Sequence, residues 1–101
     1  MDDRNDEKRV PYHCSDDISA TAEGMVSPDY KERFKAEYYQ TKIRYERLKK
    51  FNTKIEAMRG NPLAQAPKHD CPYELLREQQ RVMGEYLHIL EVRAIIEGID
   101  L

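Results

Sequence analysis

Residues 28–59, which read PDYKERFKAEYYQTKIRYERLKKFNTKIEAMR, decide the fold of this chain. Ser27 can cap a helix, Pro28 suits the first helical position, and Asp29 favours the positive end of the helix dipole. Further on, residues recur at alternating spacings of four and three: Phe34, Tyr38, Thr41, Tyr45, Leu48, Asn52 and Ile55. This heptad pattern is typical of a helix that packs along another helix, and it predicts a helix over about 28–59.

A second helix is predicted over about 72–97, after a loop of residues 60–71 that opens on a helix-stopping Gly-Asn-Pro run. Cys71-Pro72 stands at its start, with proline in the first turn. Gly98 is a natural end for this helix. Gly84 in its middle weakens it, because an interior glycine lowers helix stability.

Both helices carry more apolar surface than a single hairpin can bury. The second has a stripe roughly 160° wide at 100° per residue, formed by Leu75, Leu76, Val82, Met83, Tyr86, Leu87, Ile89, Leu90 and Ala94. On the first, Ala36, Tyr39 and Ile43 lie nearly opposite Phe34. We therefore predict an all-α fold, a long two-helix antiparallel hairpin that assembles as a homo-oligomeric helical bundle.

An N-terminal arm, residues 1–27, precedes the hairpin of residues 28–101. The arm is rich in Asp and Ser and holds few large apolar residues. Alone it cannot offset the entropy that ordering would cost. We expect it to be either disordered or docked on the helices.

Composition limits the classes of function that fit this chain. Its 101 residues make one domain at most, and a formal net charge of −2 argues against a protein that coats DNA. The chain has no apolar run of membrane-spanning length, and its charged N-terminal residues lack the apolar stretch of a signal peptide. Cys14 and Cys71 lie in unlike contexts, which favours two reduced thiols over a disulfide or a zinc site. We expect a soluble cytoplasmic protein without metal, cofactor, membrane or DNA partner.

Signals of catalysis are poor. The three histidines, His13, His69 and His88, are scattered over the arm, the loop and the second helix. The sequence has no HExxH motif, no nucleophile elbow, no P-loop and no GxGxxG. Because none of the residue sets that catalysis requires is present, we predict that the protein is not an enzyme.

Signals of ligand binding are stronger on the first helix. Tyrosines there are interleaved with basic residues: Tyr30, Tyr38, Tyr39 and Tyr45 alternate with Lys31, Arg33, Lys35, Lys42, Arg44 and Arg47. Aromatic faces stack on bases, and cations pair with phosphates. The competing interpretation is that the heptad tyrosines are core residues and that the cations form a solvated face.

Arg93 lies in line with the apolar residues of the second helix. A guanidinium in an apolar stripe requires an anion or several acceptors. Its partner is either an internal acid, such as Glu97 or a Glu of the first helix, or a ligand phosphate, and the sequence leaves both open. A weaker candidate for anion binding is the start of the second helix beside Lys68 and His69.

Short motifs occur along the chain in a recognisable order. Tyr12-His13 lies in the arm, Asp29-Tyr30-Lys31-Glu32-Arg33 opens the first helix, and Cys71-Pro72 opens the second, which closes near Ala94-Ile95. With this order the chain resembles the short phage proteins that share the anti-CBASS and anti-Thoeris sponge hairpin domain. It departs from their pattern in the second helix at Val82–Tyr86 and Leu90–Arg93, and its loop between the helices is longer.

The resemblance implies a compact homo-oligomer that holds a cyclic di- or trinucleotide immune signal in the host cytoplasm without cleaving it. It implies that Tyr12 stacks on a base and that Lys31, Arg33 or Lys35 meets a phosphate, without singling out one of the three. The predicted ligand-binding residues are Tyr12, Lys31, Arg33, Lys35, Tyr39 and Arg93.

Two other functions fit the same helices. A protein-interaction module that inhibits or adapts a host protein would need an exposed apolar or acidic face. A structural phage protein would need no ligand at all. Convergence of Tyr12 and Arg93 on one cavity would favour the sponge, whereas an Arg93 that is ion-paired within the hairpin beside a loose arm would favour the interaction module.

Overall fold

A computed structural model describes residues 17–101 of the chain. A 3-10 turn (Ile18–Thr21) and a one-turn helix α1 (Ala22–Met25) lead into two long helices, α2 (Tyr30–Met58) and α3 (Tyr73–Glu97). This part of the chain contains no strand, and the two long helices pack together. The predicted all-α fold with two long packed helices is confirmed.

The start of α2 is fixed by Asp29. Its side chain accepts a hydrogen bond from the backbone N–H of Lys31 at 3.0 Å, and the helix begins at Tyr30. Ser27, the cap suggested by the sequence, instead accepts a hydrogen bond from the backbone N–H of Asp29 at 3.1 Å. Asp29 therefore caps the helix, and Ser27 accepts the backbone N–H of that capping residue. Pro28, which the sequence placed at the first helical position, lies just outside the helix.

The end of α3 is set by Gly98, which takes a left-handed conformation with φ of 72°. The backbone N–H of Ile99 then reaches back to the carbonyl oxygen of Ala94 at 2.8 Å, which satisfies one of the free carbonyls at the helix end. The turn buries the Ile99 side chain. The last residues of the chain thus become part of the core.

The core lies between α2 and α3, towards the end of the hairpin where α2 begins. It is formed by Phe34, Tyr38, Leu87, Leu90, Ala94 and Ile99, with Tyr39, Tyr45 and Leu101 packed against it. The spacing of these side chains along each helix follows the heptad pattern. Burial of this cluster stabilises the packing of α2 on α3.

Gly84 and Asn52 account for the close fit in the middle of the hairpin. A Cβ atom on Gly84 would lie 3.3 Å from Cε1 of Tyr45, so the glycine makes room for the tyrosine ring. Asn52 is buried, and its Nδ2 donates to the carbonyl oxygen of Leu76 at 3.2 Å and to Gln80 at 2.9 Å. The close approach of the Tyr45 ring therefore explains why Gly84 occurs in the middle of α3, where glycine lowers helix stability.

The 3-10 turn and α1 pack against α2. Ala36 and Ile43 of α2 are completely buried, although they lie outside the cluster that faces α3. Gln40, between them, donates a hydrogen bond to the sulfur of Met25 at 3.0 Å. The second apolar face of α2 is therefore covered by the residues that precede the helix in the same chain. This face does not require a second copy of the chain to bury it.

Candidate functional site

Lys31 and Lys35 lie four residues apart on α2, so both side chains project from one side of its first turns. A cavity of about 260 Å³ separates them from the residues that follow α3, and we call it the terminal pocket. It is lined by Asp29, Lys31, Glu32, Lys35, Gly98, Ile99 and Asp100. Two ammonium groups and three carboxylates make this lining a poor match for an anion.

Arg33, the third predicted cation of α2, does not line the terminal pocket. Its Nη1 donates a hydrogen bond to the carbonyl oxygen of Ser27 at 2.7 Å. This contact ties the guanidinium to the turn that precedes the helix. The fold thus brings Lys31 and Lys35 together and directs Arg33 elsewhere.

Tyr39 is half-buried beside Tyr38, and the two rings meet edge to face with centroids 4.9 Å apart. Burial raises the pKa of Tyr39, and the negative charge of Asp100 raises it further. Tyr39 does not line the terminal pocket. A stacking role for Tyr39 stays a prediction.

Arg93 pairs with an acid of its own helix. Its Nε lies 2.8 Å from Oε2 of Glu97, and its guanidinium lies 4.9 Å from the centre of the Phe34 ring. Hydrogen bonds from Arg93 and then from Tyr30 lower the pKa of Glu97. Of the two partners that the sequence left open for Arg93, the structure shows the internal acid, Glu97. Contact of Arg93 with a ligand stays a prediction.

Tyrosine hydroxyls of both long helices donate hydrogen bonds to glutamates of the opposite helix. These pairs are Tyr30 with Glu97 at 2.8 Å, Tyr38 with Glu91 at 2.6 Å, and Tyr86 with Glu37. A hydrogen bond to a charged acceptor is stronger than a neutral one and restricts how the helices slide past each other. Sequence reasoning missed these pairs, because no local pattern shows which glutamate lies opposite which tyrosine.

Stability should fall in alkaline solution because of Tyr38. Burial, and then its hydrogen bond to Glu91, raises the pKa of this phenol well above its usual range. The unfolded chain releases the proton near pH 10, whereas the folded chain retains it. The contribution of Tyr38 to the free energy of unfolding is therefore complete below pH 10 and is lost as the pH rises above that value.

Tyr38→Phe tests this expectation, since it removes the titrating group and keeps the ring. We expect urea unfolding to show a smaller loss of stability between pH 9 and about 11 in Tyr38→Phe than in the unsubstituted protein. Equal losses in both proteins would rule out Tyr38 as the source.

A second and larger concave surface lies along the later turns of α2, and we call it the basic groove. Its volume is about 810 Å³, and the described residues that line it are Glu46, Arg47, Lys49, Lys50, Thr53, Lys54, Ala57 and Met58. Four cations thus face one carboxylate. Within residues 17–101, none of these four cations forms an ion pair.

Sequence reasoning named Arg47 among the cations that could meet phosphates, with a solvated face as the alternative, and it did not single out Lys49, Lys50 or Lys54. Residues 42–54 hold six of the chain's 17 basic residues and one of its 19 acidic residues. A concentration of like charges of this kind often marks an interaction surface.

A protein-family model described as Sequestin matches residues 28–96. The chain belongs to the Sequestin family. The match includes nearly all of both long helices, and it confirms the resemblance to a sponge-type family that the sequence motifs indicated. No curated protein and no solved structure matches the chain.

The two concave surfaces differ in how the Sequestin match covers them. All the described residues that line the basic groove fall inside it. The terminal pocket lies only partly inside, because Gly98, Ile99 and Asp100 follow the end of the match. The basic groove is therefore the concave surface that belongs wholly to the Sequestin region.

Two further candidates for ligand binding came from the sequence, Tyr12 and the start of α3. Tyr12 lies outside the described residues, so its stacking role stays a prediction. At the start of α3, Nδ1 of His69 lies 2.6 Å from the carbonyl oxygen of Cys71.

Between residues 17 and 101, no cluster of His, Cys, Asp and Glu could hold a metal ion, and no helix is long and apolar enough to cross a membrane.

Proposed function

We propose that this protein is a non-enzymatic phage counter-defence protein that binds and sequesters a cyclic-nucleotide immune signal in the host cytoplasm. The observation that carries the proposal is the Sequestin match over residues 28–96, because the family's name refers to sequestration. The match extends along both packed helices.

The chemistry of α2 supports a ligand that carries phosphates. A cyclic nucleotide presents two or more phosphodiester anions, which lysine and arginine bind through charge-assisted hydrogen bonds. Basic residues are concentrated on α2, and four of them line the basic groove beside a single carboxylate. The proposal excludes turnover, because the sequence holds none of the motifs that phosphodiester cleavage by a metal or an activated nucleophile requires.

The proposal includes self-association through the outward face of α3. Leu75, Val82, Ile89 and Ile96 recur there every seven residues and are 57%, 48%, 55% and 76% exposed. We call this row the outer stripe. Apolar residues at heptad spacing are typical of a helix that packs on another helix, and the described part of the chain offers no further helix to cover them.

A second copy of the chain is the occupant that fits the outer stripe. In an antiparallel pair of α3 helices, Leu75 would lie opposite Ile96, and Val82 would lie opposite Ile89. A patch that is complementary to itself is what a two-fold symmetric interface requires.

Binding without turnover can be tested directly. We expect cyclic di-AMP, cyclic di-GMP or cyclic tri-AMP to raise the melting temperature, since a ligand at about 100 times its dissociation constant stabilises by roughly 2.7 kcal/mol. Chromatography after long incubation should recover that ligand intact. No shift with any of the three at saturation would contradict sequestration of this class, and cleaved ligand would contradict the absence of catalysis.

A protein-interaction module is the second candidate, and the outer stripe is the observation that favours it. A host protein could supply the helix that covers this row. The chain should then remain monomeric when purified and should show no thermal shift with cyclic nucleotides, which separates the two candidates.

A further inference from the structure

We infer that the phosphates of the sequestered nucleotide bind in the basic groove, on Arg47, Lys50 and Lys54, and not in the terminal pocket at Lys31 and Lys35. This assignment rests on the proposed function, and it locates the binding of the ligand phosphates on the later turns of α2. Neither the motifs of the sequence nor the family match assigns this groove a role.

Size separates the two concave surfaces. Pockets that bind small molecules and cofactors have volumes of about 300–1,000 Å³. The basic groove, at about 810 Å³, lies within this range, whereas the terminal pocket, at about 260 Å³, lies below it. By volume, the basic groove is therefore the better candidate of the two for a ligand the size of a cyclic dinucleotide.

The charges of the two linings also favour the basic groove over the terminal pocket. The described lining of the basic groove has four cations and one carboxylate, and that of the terminal pocket has two cations and three carboxylates. Two phosphodiester anions would be attracted to the first surface. In the second they would meet the like charges of Asp29, Glu32 and Asp100 at close range.

The cations that line the basic groove include pairs of like charge at close spacing. Arg47 and Lys50 lie three residues apart, and Lys50 and Lys54 lie four apart, which are spacings at which like charges destabilise a helix. On α3, by contrast, Arg81 is held between Glu78 at 2.5 Å and Glu85 at 2.6 Å. A phosphate bound among Arg47, Lys50 and Lys54 would offset this repulsion.

The arrangement also suits a compact ligand. Arg47, Lys50 and Lys54 lie on successive turns and span about 10.5 Å along the helix axis at 1.5 Å per residue. Two phosphates of one cyclic nucleotide can therefore each meet a different cation. Ala57 and Met58, at the end of the groove, provide apolar surface for part of a base.

The test compares two double variants of equal charge change on one helix, Lys50→Ala/Lys54→Ala and Lys31→Ala/Lys35→Ala. The probe is whichever of cyclic di-AMP, cyclic di-GMP and cyclic tri-AMP the unsubstituted protein binds most tightly in calorimetry. We expect the Lys50/Lys54 variant to bind at least about a hundredfold more weakly, since each charge-assisted contact accounts for about tenfold or more. Lys50→Arg/Lys54→Arg should retain binding, and circular dichroism should show unchanged helix content.

The possible outcomes separate this inference from the proposed function. Unchanged affinity in Lys50→Ala/Lys54→Ala overturns the assignment to the basic groove, and so does an equal loss in both double variants. A loss confined to Lys31→Ala/Lys35→Ala moves the phosphates to the terminal pocket and leaves sequestration intact. If the unsubstituted protein binds none of the three probes, it is the proposed function that fails.

Discussion

Leu90→Ala should lower the free energy of unfolding by about 2–5 kcal/mol, the range measured when a buried leucine is truncated to alanine. Leu90 is 2% exposed and lies in the cluster that joins α2 to α3, with Phe34, Tyr38 and Ala94. Truncation removes apolar contacts and leaves a cavity that two long helices cannot easily close. A chain of this size is stable by only about 5–15 kcal/mol, so the variant should lose a large part of its stability.

Urea unfolding followed by circular dichroism at one fixed protein concentration measures the effect of Leu90→Ala. Leu63→Ala is the matched control, because it removes the same atoms from a side chain that is 95% exposed in the loop. We expect the control to change stability by less than about 0.5 kcal/mol. A loss below about 1 kcal/mol in Leu90→Ala would show that the core does not lie where the two helices meet in this structure.

The heptad pattern of α2 predicted its buried side well. Phe34, Tyr38, Asn52 and Ile55 are all buried, as residues on one side of a helix that packs lengthwise on another should be. The period of the pattern is a local property of the sequence. For that reason the existence of both long helices and their packing could be predicted without any tertiary information.

The pattern could not show which part of the apolar stripe of α3 meets α2. Leu87 and Leu90 are buried, whereas Val82 and Ile89, which belong to the same stripe, are about half exposed. A stripe wider than one partner needs has two possible buried halves, and the choice depends on the rest of the fold. Nor did the pattern show that the residues before α2 would cover its second apolar face.

The candidate site was predictable in its chemistry and less so in its geometry. Lys31 and Lys35 come together because residues four apart share a side of a helix, whereas Arg33, two residues from each, projects elsewhere. The partner of Arg93 depended on which acids lie within reach, and Glu97, one turn further along α3, lies close enough. Charge density alone could have indicated the basic groove.

Ile89→Glu should weaken self-association by at least about a hundredfold. Burial of one isoleucine side chain contributes about 1.5–3 kcal/mol. In a two-fold symmetric interface the substitution occurs twice, so about 3–6 kcal/mol is removed, and each 1.4 kcal/mol is a factor of ten in the dissociation constant. Ile89 is 55% exposed in the single chain, so its loss should disturb the interface far more than the hairpin.

Sedimentation velocity over a concentration series measures the association of the unsubstituted protein and of Ile89→Glu. His88→Glu is the matched control, since it adds the same carboxylate one residue away, at an exposed position outside the outer stripe. We expect His88→Glu to associate as the unsubstituted protein does, and Ile89→Glu to sediment as a monomer with unchanged helix content. If both variants keep the oligomeric mass, the outer stripe is not the interface, whereas an unsubstituted protein that is monomeric at every concentration leaves the stripe to a partner of another kind.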